Sequence, residues 1–225
     1  MHLHRLPFQQ IPQLSNKDIA YASANPALRP FYQYEVSIEA FEQIIEDKKK
    51  DRTDRELLVK VLQEQYTRYD AGAKTLANIA ALGDERTYTV TTAHQPSLLT
   101  GPLYFIYKCF STINLAESLN QAYPGYRFVP VFVLGSEDHD FEEINHIQLF
   151  GKKFQWENEE RGPCGKMSAK SLLPLLASLS ATLGTSDNAQ EIMRLVEEAY
   201  TAHETFGAAT VHLVSKLFSA YGLVV

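Results

Sequence analysis

The sequence predicts an α/β fold built on a parallel sheet, and three observations carry that prediction. Thr87–Thr92 (TYTVTT) is β-branched and aromatic, as a strand requires. Arg127–Gly135 (RFVPVFVLG) is a nearly continuous apolar run, the mark of a strand covered on both faces. Between them Leu103, Ile106, Phe110, Ile113 and Ala116 recur at helical spacing, ending near Asn120. Strand, helix, strand in that order is the parallel crossover unit. With 225 residues, 45% of them apolar, the chain has material for a sizeable core.

Residues 1–36 are rich in proline, aromatic and amide side chains, which predicts an arm with little regular structure. Ser37 is a candidate helix N-cap, with Ile38, Phe41, Ile44 and Ile45 on one face behind it. Residues 46–56 (EDKKKDRTDRE) carry both signs and read as a solvated helix end and turn. From Asp54 onward, apolar positions recur to residue 80. They fit one long amphipathic helix or two short ones broken near Gly72. Pro102 suits the first turn of the crossover helix, and Pro124-Gly125 is a turn. A short third strand is expected over Asn145–Phe150 and a hairpin excursion over Lys152–Gly165. Asp187 and Gln190 fit a capping box that opens a helix bearing Ile192, Leu195, Val196 and Ala199. A last helix carries Phe206, Ala209, Leu213, Leu217 and Tyr221, stopped by Gly222. Leu223–Val225 then begins another strand. The predicted division is an N-terminal arm and helices over 1–85 and a core over 86–225, with a hairpin and helical insertion near 152–203. A strand at the last residues leads us to expect a chain cut within its core, and inactive alone.

Charge and composition narrow the function. Lys and Arg number 21 and Asp and Glu 27, a net charge of −6, which suits small-molecule work better than nucleic-acid binding. No apolar run reaches the length of a membrane span, and the N-terminus lacks signal-peptide features. Cys109 and Cys164 are far apart, with neither a disulfide framework nor zinc spacing. A reducing cytoplasm is the expected setting.

Two loops stand out. In an open parallel sheet, ligands bind outside the carboxyl ends of the strands. One loop, Ala93–Pro102, follows the first strand. The other, Gly135–His146, follows the second. Parallel strands would bring His94, Gln95, Thr100, Glu137, Asp138, His139 and Asp140 to one cleft. Thr100 and Gly101 sit near the start of a helix, where free N–H groups favour anions, and Lys108 lies further along. Taken alone, Thr100 reads first as an ordinary N-cap. Neither the dinucleotide fingerprint nor the P-loop is present. In the second loop, five of the eight residues Ser136–Glu143 are carboxylates, with His139 among them. Such a group suits general acid–base chemistry or Mg²⁺ with substrate phosphates. Asp140 and Glu143 also fit a capping box, a purely structural role. His139 and His146 could share a helix face, but the strand expected at Asn145 argues against a zinc site. Lys166–Ser171 (KMSAKS) resembles the Lys-Met-Ser-Lys-Ser loop of class I aminoacyl-tRNA synthetases. The inserted Ala and the helices that follow argue against a nucleotide role. Cys164 lacks a nearby base, and Phe154 and Trp156 suit packing of the hairpin.

Thr100–Lys108 (TGPLYFIYK), followed by Val129–His146 (VPVFVLGSEDHDFEEINH), resembles the bacillithiol-biosynthesis cysteine-adding enzymes, also called the cysteine ligase family. Phe218–Val225 (FSAYGLVV) is similar to that family as well. The likeness runs across most of the chain and covers about the N-terminal half of a family member. It implies a Rossmann-like, nucleotidyltransferase-type core related to class I synthetases, with a helical coiled-coil domain following that supports a homodimer. It implies an ATP-dependent ligase that adds cysteine to glucosamine-malate. One departure is Ala93-His94-Gln95, where the family often carries Gly-Gln-Gln; Gln95 is retained.

On this reading the cysteine carboxyl is activated, as an adenylate or acyl phosphate, and forms an amide with the glucosamine nitrogen. His94, Thr100, Gly101 and Lys108 would bind the phosphoryl group, with Gln95 and Glu137 lining the site. Asp138, His139 or Asp140 would take the amine proton. ATP is the expected cofactor, with Mg²⁺ possible. Two rival readings are a metal-assisted hydrolase using Asp138, His139 and Asp140, and a non-catalytic nucleotide- or thiol-binding module.

Overall fold

The computed structural model describes residues 4–225. Backbone contacts divide the chain into two compact units, Met1–Thr53 and Asp54–Val225.

The first unit is more regular than its proline content predicts. Helix α1 spans Asn16–Ala22. It starts at a reciprocal capping box: Ser15 Oγ accepts from the Asp18 N–H, and the Asp18 carboxylate accepts from the Ser15 N–H at 2.8 Å. Short 3₁₀ turns lie at Phe8–Gln10 and Pro26–Phe31. Helix α2 runs Phe41–Lys48, later than expected, because Ser37 Oγ accepts from the Ala40 N–H in the turn before it.

The second unit opens with two helices, α3 (Arg55–Tyr66) and α4 (Ala73–Ala81), which settles the alternative left open at Gly72. The Asp54 carboxylate caps α3 by accepting from the Leu57 N–H at 3.0 Å. The sequence groups both helices with the arm; packing puts them with the sheet.

Strand β1 (Thr87–His94), helix α5 (Tyr104–Ala122) and strand β2 (Arg127–Leu134) form the predicted crossover. The strands are parallel, in register from Thr87 beside Arg127 to His94 beside Leu134. Leu223–Val225 extends the sheet on the far side of β2. Val224 bridges Val131 in parallel, with Phe132 N–H to Val224 O at 2.7 Å and Val224 N–H to Pro130 O at 3.0 Å. That ladder would next pair a residue-130 N–H with the Gly222 carbonyl. Proline has no such N–H. Asn78 Nδ2 donates to that carbonyl instead, at 2.7 Å. A proline is thereby accommodated in a strand paired on both sides.

Side chains alternate across β2, so its two faces carry different cores. Phe132 packs with Phe105, Cys109 and Ile113 of α5 and with Val214 and Phe218 of the last helix. Val129 packs with Tyr66, Ile79 and Leu82 of α3 and α4. The sheet is thus the middle of three layers, the Rossmann-like arrangement.

The rest of the unit forms a third core. A one-turn helix α6 (Phe141–Ile144) leads into β3 (His146–Leu149), which pairs antiparallel with β4 (Lys152–Gln155). The expected third strand is therefore one arm of the hairpin. Its two-residue turn has φ of 50° at Phe150 and 77° at Gly151, the mirror-turn geometry that matches strand twist. Helices α7 (Leu173–Leu183), α8 (Asp187–Ala202) and α9 (Phe206–Phe218) follow. The α8 cap is Ser186, whose Oγ accepts from the Ala189 N–H, and not Asp187. Gly222 adopts the left-handed conformation expected of a helix stop, with φ 76°. Trp156, Tyr200 and Phe206 are buried together, and Cys164 joins them. Among the described residues, no helix is long and apolar enough to cross a membrane.

Candidate functional site

The parallel register brings both loops to one edge, as the crossover predicted. Gly135 N–H donates to His94 O at 2.9 Å, joining the strand ends directly. Gln95 Nε2 donates to Glu143 Oε2 at 3.0 Å, joining the loops through side chains.

The first loop is buried and strained. Leu98 is fully buried, and Leu99, Thr100 and Gly101 have φ of 50°, 69° and 59°. Side chains rarely adopt that region, and Leu99 and Thr100 each cost about 1–3 kcal/mol there, whereas Gly101 does not. Tyr200 Oη holds the turn by accepting from the Leu99 N–H at 3.3 Å. Gly101 is required twice over: its φ is left-handed, and a Cβ there would lie 2.7 Å from Ser97 Cβ. Helix α5 begins at Tyr104, with Leu103 at its cap. Thr100 and Gly101 therefore belong to a separate 3₁₀ turn ahead of the helix, correcting the N-cap placement of Thr100.

Lys108 lies one turn inside α5, and its Nζ donates back to the Ala93 carbonyl at 3.2 Å. Its charge also sits 5.5 Å from the Tyr104 ring centroid. His94 lies beside the Tyr104 and Phe105 rings, with centroids 5.2 and 5.7 Å away. Desolvation lowers the His94 pKa, and the nearby Lys108 charge lowers it further. Interaction with the Gln95 side chain, then the Glu143 and Asp138 charges, pull the other way. Its imidazole is therefore neutral at pH 7. Nε2 of His94 is buried without a hydrogen-bond partner. Such an orphaned polar atom costs about 1–3 kcal/mol unless something satisfies it.

The second loop is more open. Glu137, His139 and Asp140 are exposed, and Asp138 is half-buried. The Asp138 carboxylate accepts from the Asp140 N–H at 2.8 Å. Asp140 in turn caps α6, accepting from the Glu143 N–H at 3.2 Å. One Asp140 oxygen thus caps the turn while the group stays in solvent. His146 begins β3, and its Nδ1 meets Asn145 Oδ1 at 3.0 Å, so it shares no helix with His139. Among the described residues, no three His, Cys, Asp or Glu side chains converge as a metal site. The Glu137–Asp140 segment therefore offers no such ligand set to a metal-assisted hydrolase among the described residues.

The sequence reading missed one wall of this site. Cys164 N–H donates to Asp138 O at 2.7 Å, and Gly165 N–H donates to Ser136 O at 3.0 Å. Gly165 and, at the start of α9, Gly207 were the available signals, since a glycine inside an element often marks close backbone approach. The KMSAKS segment lies next in line. Met167 is buried and its carbonyl accepts from the Phe206 N–H at 2.8 Å, while Ser171 Oγ accepts from Trp156 Nε1 at 2.8 Å. Lys166 and Lys170 are exposed.

Comparison with known proteins supplies independent findings. The family model described as bacillithiol biosynthesis BshC, N-terminal Rossmann-like domain, matches residues 1–225. A Flavobacterium psychrophilum protein named "Putative cysteine ligase BshC" is 42% identical over 223 residues, covering 98% of this chain and 42% of that protein. A Bacillus cereus protein of the same name is 31% identical over 212 residues, covering 91% of this chain and 39% of its own length. The chain spans about two fifths of the length of the curated relatives it matches.

Proposed function

From membership of the bacillithiol biosynthesis BshC family, to which this chain belongs through its Rossmann-like domain, we propose that it forms part of a carbon–nitrogen ligase. The reaction joins cysteine to glucosamine-malate in bacillithiol synthesis, with ATP consumed and a core of nucleotidyltransferase type. The observation that carries the site is the meeting of the two loops at the strand ends with a cation beside them. Lys108 supplies the charge, and His94 stands next to it at the end of β1.

Amine and carboxylate do not condense unaided, and ATP supplies the leaving group. Lys108 would pair with its phosphoryl oxygens, because a fixed cation stabilises anionic charge without reorganising. His94 and the Thr100–Gly101 turn would shape the wall beside it, the Thr100 and Gly101 N–H groups being already bonded to the Ser97 and Leu98 carbonyls. Gln95 and Glu137 would line the same cleft. The glucosamine nitrogen attacks the cysteine carbonyl carbon, the leaving group departs with the C–O electron pair, and the amine proton passes to a base. Asp138, His139 and Asp140 are the candidates within the second loop.

The test is turnover of the natural full-length protein with cysteine, glucosamine-malate and ATP, followed as new bacillithiol thiol by labelling and mass spectrometry. His94→Ala and Lys108→Ala are each expected to lower kcat by about 10²–10³-fold, the usual loss on removing a preorganised donor. Wild-type turnover in both variants would remove the phosphoryl-binding assignment. Wild-type turnover in Asp138→Ala and His139→Ala would remove those two as the base.

A further inference from the structure

Two glycines distant in the chain meet beneath the acidic loop. A Cβ on Gly165 would lie 2.5 Å from Ser136 Cβ and 2.6 Å from the Ser136 carbonyl oxygen. A Cβ on Gly207 would lie 2.8 Å from the Gly165 carbonyl oxygen and 3.1 Å from Ser136 Oγ. Neither glycine has positive φ. Backbone freedom is therefore not what these positions use; they use the missing side chain. Alanine is the better helix former at Gly207, inside α9, so the glycine opposes local propensity there.

The contact is tied on both sides. Toward the loop, Cys164 and Gly165 donate to the carbonyls of Asp138 and Ser136. Toward α9, the Phe206 N–H donates to Met167 O, and Ser168 bridges Thr205. The backbone of Ser136–Asp138 is thus fastened through residues 164–168 to the start of a buried helix.

Asp138 is itself tied to the end of β1, its N–H donating to Gly135 O at 3.2 Å and the Gly135 N–H to His94 O at 2.9 Å. We propose that Gly165 and Gly207 are positioning residues: their bare backbones seat Ser136–Asp138 and so hold Asp138 at the strand end beside His94. The catalytic consequence rests on the ligase reading; the seating does not.

The test uses the natural full-length protein and needs no turnover. The His94 ring is titrated by NMR in wild type, Gly165→Ala and Gly207→Ala, with amide exchange measured alongside. Withdrawal of the Asp138 charge is expected to lower the His94 midpoint. The amides of residues 164 and 165 are expected to exchange about tenfold faster or more, while those of Phe132 and Val224 hold. Should Gly165→Ala fail to fold, Gly207→Ala decides, because a purely helical role predicts slower exchange there. An unchanged His94 midpoint in Gly207→Ala overturns the proposal, whatever the exchange rates do. In the full-length protein the same variants are expected to lower kcat about tenfold or more with KM for cysteine little changed, as small misplacements do. Failure of the ligase reading would show as absent wild-type turnover and leave the titration standing.

Discussion

The loop after β1 is held by burial and strain, whereas the loop after β2 has its backbone tied to residues 164 and 165 and leaves most of its carboxylates in solvent. Leu98 is fully buried and Thr100 nearly so, in a turn with three consecutive positive φ angles. Glu137, His139 and Asp140 face solvent, and the Asp138 and Asp140 carboxylates bond to N–H groups a few residues on. The first loop cannot shift without opening the core around Tyr200; in the second the backbone is tied but the exposed side chains of Glu137, His139 and Asp140 can move. Fixed groups suit the recognition of a charged, rigid ligand. Adjustable carboxylates suit proton transfer, where the acceptor must follow the moving atom. One edge of one sheet thus carries two kinds of precision.

Three perturbations bear on this contrast, beginning with the largest. Leu98→Ala removes the anchor of the strained loop and is expected to cost about 2–5 kcal/mol in denaturant unfolding, as buried leucine truncations do. A cost near that of an exposed site would mean the strain is not held by burial. Asp140→Ala removes a cap from an exposed single turn, and about 0.5–1 kcal/mol is expected. A loss as large as that of Leu98→Ala would erase the distinction between the loops. The smallest effect is on pH dependence. His94 and His203 both have lowered pKa values, burial being the main cause in each. The unfolded chain therefore binds their protons more readily. Stability is fullest above the unfolded histidine value of about 6.5 and declines as pH falls from there through the folded values. Urea midpoints across that window should fall on acidification, and His94→Gln should flatten the slope. An unchanged slope would show that His94 is not desolvated.

The sheet and its shared edge were readable because strand composition and crossover order are local properties. TYTVTT and RFVPVFVLG announced β1 and β2, and the register then followed from parallel pairing. Caps were read less well, since several neighbouring residues can serve. Ser186 and not Asp187 caps α8, and the Ser15–Asp18 box of α1 was overlooked in a proline-rich stretch. The strained turn at Leu99–Gly101 was hidden because leucine and threonine do not advertise positive φ. The contact of residues 164 and 165 with the acidic loop was hidden for another reason. It joins backbone groups, whose partners leave no mark on residue type. His94 was found as a candidate, but its orphaned nitrogen depends on the Tyr104 and Phe105 rings closing around it.

The two buried sulfurs have a consequence for chemistry in company with other thiols. Burial pushes the Cys109 thiol up to about 12, and it also raises that of Cys164, helped by the Asp138 and Asp140 charges. Disulfide exchange proceeds through thiolate, and neither sulfur supplies it at neutral pH. A protein that handled cysteine as a substrate would otherwise risk capture by the disulfide form of that cargo, a protein thiolate attacking one sulfur and the other leaving as thiol. Here the chain is chemically mute toward it, and oxidised small-molecule thiols in its surroundings would find nothing to modify.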